Sequence, residues 1–148
     1  MKHIIGIAIL AASLSLVGCS TTTPIITPAE LQSDVSGGIR IGLDVYPAAA
    51  PDVALARDVI CVAASSTKTS PSDIVNDLMA LNIASSDSKL IVDGALFVYE
   101  KVYTALGTNA TAQAAPYLTA LCNGFTAGLP ASVATVKGAR QSLPPHLK

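Results

Sequence analysis

Several residue types on which protein chemistry commonly depends are scarce in this chain. It has no Trp, two Phe and four Tyr among 148 residues, so any core must be built from aliphatic and small side chains. Its two histidines, His3 and His146, lie near the two ends, and the stretch between 28 and 138 contains none. His-dependent triads and most catalytic zinc sites, which rely on imidazole, are thereby excluded from that stretch. Charge is sparse as well: 9 Lys plus Arg stand against 10 Asp plus Glu. No basic stripe is visible, which argues against nucleic acid as a partner. Cys-x-x-Cys spacing is absent, so no cysteine metal-ligand set is suggested. Gly37-Gly38 has neither the spacing nor the following Lys of a phosphate-binding loop. The carboxylates closest on one helical face are Asp73 and Asp77, and Asp73 is sufficiently explained as a helix-start residue. The chain is therefore not expected to be an enzyme, nor to hold a cofactor or a metal. No run alternates over a strand's length, so no sheet is expected.

Long apolar runs are also missing. The longest, Ile4 to Val17, is interrupted by Ser13 and Ser15 and falls short of the roughly 20 residues that cross a bilayer as a helix. The positively charged head Met1-Lys2-His3 precedes it and the small residues Gly18 and Cys19 close it, which is the layout of a secretory signal. The closing quartet, Leu16-Val17-Gly18-Cys19, resembles the lipobox of bacterial lipoproteins, in which aliphatic and small residues precede an obligatory Cys. The resemblance covers residues 1 to 20. It implies cleavage between Gly18 and Cys19, a thioether-linked diacylglycerol on Cys19 and acylation, for instance by palmitate, of the new first residue. Two or three acyl chains, at about 0.8 kcal/mol per buried CH₂, hold a protein on a membrane in practice permanently. Family members retained at the inner membrane carry Asp after the lipidated Cys. Here that position is Ser20, so the resemblance implies an outer-membrane anchor with the domain facing the periplasm.

The chain then divides into a signal peptide (1–18), a lipidated tether (19–27), a helical domain (28–138) and a flexible, Pro-containing tail (139–148). Thr27-Pro28-Ala29-Glu30 reads as a capping box with Pro at the first helical position. Leu31, Val35 and Ile39, four apart, predict the inner stripe of the helix that follows. Gly37-Gly38 predicts a break or kink before Ile41, and Pro47 an end. Gly38 and Gly42, also four apart, suit the close approach of another backbone. Pro51-Asp52 opens a second helix to about Ser65, apolar nearly all round and hence central. Ser70-Pro71-Ser72-Asp73 repeats the start signal for a third, with Ile74, Leu78 and Leu81 inward and Asp73 and Asp77 outward. A fourth runs from Lys89 to Leu106, its stripe Ile91, Ala95, Val98, Val102 and Ala105, widened by Leu90, Phe97, Tyr99 and Tyr103. A fifth starts between Thr111 and Pro116, buries Leu118, Leu121, Cys122 and Phe125, and stops at Gly128-Leu129-Pro130. The expected fold is all-α, a small bundle of about five helices.

With Cys19 assigned to lipid, Cys61 and Cys122 remain as an even pair in a chain addressed to an oxidising compartment, and a disulfide between them is predicted. Loss of Lys2 with the signal leaves 8 basic against 10 acidic residues, a low charge density compatible with a protein partner. The function this favours is a membrane-anchored envelope lipoprotein whose non-catalytic helical domain binds or braces another envelope protein. The alternative is a carrier or sensor holding an apolar small molecule or lipid between the helices.

Overall fold

The computed structural model describes residues 26–66, 69–83 and 85–133. Among them there are six α-helices, two 3₁₀ turns and no strand. α1 spans Pro28–Val45 and starts on a complete capping box: the Glu30 amide donates to the Thr27 hydroxyl (3.3 Å), and the Thr27 amide donates to the Glu30 carboxylate (2.7 Å). Those donors from the Thr27 backbone and hydroxyl hold the Glu30 carboxyl below its ordinary range.

α1 runs unbroken through Gly37-Gly38, where the sequence predicts a break. Two interior glycines cost a helix about 1 kcal/mol each. Leu31, Val35, Ile39 and Leu43, on both sides of the pair, are all buried, and burying such side chains stabilises by about 1.5–3 kcal/mol apiece. The stripe outweighs the glycines.

A 3₁₀ turn at Pro47–Ala49 leads into α2, Ala50–Ala64. α3, Pro71–Met79, begins at the second start signal, but Ser70 does not cap it; its hydroxyl bonds the Ser72 hydroxyl at 2.7 Å. α4, Ser86–Ala105, starts earlier than predicted because Ser85 is the cap, accepting from the Ser88 amide at 3.3 Å. Its inner stripe holds Ile91, Val92, Ala95, Leu96, Tyr99 and Val102, whereas Leu90, Phe97 and Ala105 face outward. A 3₁₀ turn at Gly107–Asn109 and a single-turn α5, Ala110–Gln113, fill the predicted approach to α6, Ala115–Gly128. Gly107 takes φ +60, a left-handed backbone that glycine adopts without strain.

Pairs of contacts give the helix directions. A Cβ placed on Gly124 would meet Val35, and one on Gly128 would meet Ile39, so α1 and α6 run the same way. Ser88 at the start of α4 donates to Asp52 at the start of α2 (2.8 Å), and Tyr99 further along α4 donates to the carbonyl of Thr69, beyond the end of α2 (2.6 Å). α2 and α4 therefore run together. Ala50 at the start of α2 lines a groove with Gly128 at the end of α6, while Cys61 further along α2 is bonded to Cys122 earlier in α6, so α2 and α4 run opposite to α6 and hence to α1. The core lies between the four, with Tyr99, Phe125, Leu31, Ile39, Ile60 and Leu118 fully buried.

Candidate functional site

Cys61 on α2 and Cys122 on α6 are joined by a disulfide, with their Cα atoms 4.9 Å apart. The bond closes a sequence separation of 61 residues and fixes the second and last long helices as neighbours. Hydrogen bonds tie the rest of the frame. The fully buried Ser88 hydroxyl reaches Asp52, the buried Tyr99 hydroxyl reaches the Thr69 carbonyl, and the Thr69 hydroxyl reaches the Thr111 carbonyl at 3.4 Å. Burial, and secondarily the neighbouring Tyr103, push the Tyr99 phenol well above its ordinary pKa, so it serves as a fixed donor.

At the end of the bundle where α1 and α6 finish lies a solvent-open groove of about 300 Å³, lined by Arg40, Leu43, Asp44, Pro47, Leu129 and Pro130 among others. Arg40 donates through Nη2 (2.9 Å) and Nε (3.3 Å) to the Ala127 carbonyl. Its guanidinium thus closes the carbonyl end of α6, where backbone acceptors are left over and positive charge is favoured. Asp44 is exposed at the groove edge.

Of the residues singled out in the sequence, Cys61 and Cys122 are brought together as predicted. Gly18 and Cys19 lie outside the described residues. Of the other helical carboxylates, Asp58 pairs with the adjacent Arg57 at 2.6 Å, and Asp93 is exposed. Asp77 is a correction: expected to face outward, it is 7% exposed while Asp73 faces solvent. The reason is its register, since Asp77 follows buried Ile74 by three and precedes buried Leu78 by one, inside the inward stripe of α3. Gly42 does allow close approach, to Ile91 on α4, whereas Gly38 has no atom within 4 Å of an added Cβ.

Sequence reasoning missed the residues that make the tightest seam. Gly124 and Gly128 let α6 approach α1 so closely that an added Cβ would lie 2.8 Å from Val35 and 2.7 Å from Ile39. Their four-residue spacing was the available signal. Among the described residues no helix is long and apolar enough to cross a membrane, and no group of three His, Cys, Asp or Glu could hold a metal. No protein-family model, no curated protein and no solved structure matches this chain.

Proposed function

We propose that the chain is a membrane-anchored lipoprotein of the bacterial envelope, tethered to the outer membrane through Cys19, whose helical domain acts without catalysis by binding or bracing another envelope protein. The observation that carries this reading is the quartet Leu16-Val17-Gly18-Cys19 at the end of a short apolar run with a positively charged head. The Cys61–Cys122 disulfide supports it, because such bonds persist in oxidising compartments and are rare in the cytosol. A bundle in which a covalent bond ties the last turn of α2 to the middle of α6 suits a part that transmits or resists load. The second reading, carriage of an apolar small molecule, has in its favour the end groove of about 300 Å³, a size at the small end of ligand pockets.

The anchor is tested by mass spectrometry of the amino-terminal peptide from protein expressed in a bacterial envelope. The expected species begins at Cys19 and carries diacylglycerol; a chain that keeps residues 1–18, or begins at an unmodified Cys19, refutes the reading. Crosslinking in cells followed by detergent extraction should return a partner in fixed stoichiometry. Recovery of the chain alone, with a lipid-sized mass bound in native spectra, would favour the carrier instead.

A further inference from the structure

The large apolar side chains most exposed among the described residues are Ile41, Val45, Met79, Leu90 and Phe97. Four of them share one face. Gly42 of α1 meets Ile91 of α4, which marks the seam between these helices. At about 100° per residue, Val45 and Ile41 sit roughly 60° and 100° around α1 from Gly42, on the side away from Val35 and Ile39, which face α6. By the same count Leu90 and Phe97 sit roughly 100° and 120° around α4 from Ile91, on the side away from buried Ser88 and Tyr99. The four therefore form two apolar ridges flanking the seam, with the half-buried glycines Gly38 and Gly94 between them. Lys101 holds its ammonium 4.9 Å from the centre of the Phe97 ring.

We infer that this face is where the tethered domain lies on the lipid bilayer. The inference rests on the anchor proposed above. The chain from Cys19 to Pro28 extends to about 30 Å at most, and laying α1 along the surface requires it to span only the helix's own radius, about 5–6 Å. The area of the face points the same way. Ile41, Val45, Leu90 and Phe97 are 51%, 58%, 51% and 47% exposed, which offers a patch of a few hundred Å². That is well below the roughly 800 Å² per partner of a stable complex between free proteins. A surface already held at high local concentration by a tether needs no such area. Around the ridges the exposed charges are mixed: Asp34, Asp93 and Glu100 alongside Lys89 and Lys101. Zwitterionic headgroups fit that balance better than an anionic surface or a strongly charged protein.

The absence of Trp from the chain makes the test direct. The lipidated full chain is prepared as Phe97→Trp and, from the other ridge, as Ile41→Trp, and each is inserted into phosphatidylcholine vesicles. Emission at both positions should shift to the blue on insertion and be quenched at least twofold by brominated acyl chains, while Asn123→Trp, on the exposed side of α6, stays solvent-like and unquenched. Solvent-like emission from both ridge positions in vesicles overturns the inference and leaves the anchor standing. A blue shift without quenching by brominated lipid places a second copy or another protein on the face and also overturns it. Failure of the wild-type chain to float with vesicles, with no acyl mass on Cys19, refutes the anchor as well as the docking.

Discussion

Alanine at Gly124 should act opposite to alanine at Gly38, although both positions are interior to long helices. Replacing a helical glycine by alanine gains about 1 kcal/mol from the narrower unfolded ensemble and better propensity. At Gly38 nothing lies within 4 Å of the new methyl group, so the gain should appear almost whole. At Gly124 the methyl would lie 2.8 Å from Cβ and Cγ1 of Val35 and 3.0 Å from the Gln32 carbonyl oxygen. Carbon pairs rest at about 3.5–4.0 Å, so α1 and α6 must part by roughly 0.7–1.2 Å, and a gap of about that size forfeits a quarter to a half of each contact's attraction. Neither Val35 Cβ nor a backbone carbonyl can rotate away. Overpacking of this kind costs about 3 kcal/mol at the upper end of its usual range, leaving a net loss of about 2 kcal/mol after the propensity gain. Gly42→Ala should fall between the two, because it meets the Ile91 side chain, which can change rotamer. Urea unfolding reads all three: with a slope of about 1–2 kcal/mol per molar, the midpoint should rise by about 0.5–1 M for Gly38→Ala and fall by about 1–2 M for Gly124→Ala. A Gly124→Ala protein with an unchanged or higher midpoint would refute the close approach of α6 to α1. Adding Gly128→Ala should cost less than its separate effect, since one separation of the helices relieves both clashes.

Two further outcomes are expected. Reducing the Cys61–Cys122 bond, which closes a separation of 61 residues, should destabilise the domain by about 4 kcal/mol in the chain-entropy account; two reactive thiols at these positions in denatured, unreduced protein would show that the bond is absent. Tyr99→Phe should cost about 1 kcal/mol at neutral pH by removing the donor to the Thr69 carbonyl. It should also change the alkaline limb. The folded Tyr99 phenol is held above its unfolded value of about 10, so its contribution is complete below pH 10 and lost above it, as the unfolded chain releases a proton that the folded one retains. Unfolding followed from pH 9 to 11 should therefore decline less steeply in the Phe variant.

Much of the bundle was legible in local signals. Pro28, Pro71 and Pro116 mark three helix starts, because proline's fixed φ suits a first turn and its missing amide costs nothing there. The Thr27/Glu30 box and the stop at Gly128-Leu129-Pro130 are local too, and they appear where expected. The signals failed where neighbours decide. Gly37-Gly38 did not break α1, and the same weak spot would have frayed in an isolated peptide without the burial of Ile39 and Leu43. Leu90 and Phe97 looked like core on hydrophobicity alone, yet both are exposed, because each is turned by more than a quarter of a circle from the Ile91–Ala95 line that meets the rest of the bundle.

By itself, the sequence determined the helical class and the element boundaries to within a few residues, since caps, prolines and stripe periodicity act over short range; with three cysteines in the chain, the pairing of Cys61 with Cys122 was an expectation reached by setting Cys19 aside for lipid, and it is the fold that brings the two together. Only the tertiary structure decided which glycines are seams and which stand in open space, which carboxylate is buried, and which apolar residues are left outside. Those outcomes depend on where a second helix lies, and that position is set by the summed packing of residues far apart in the chain.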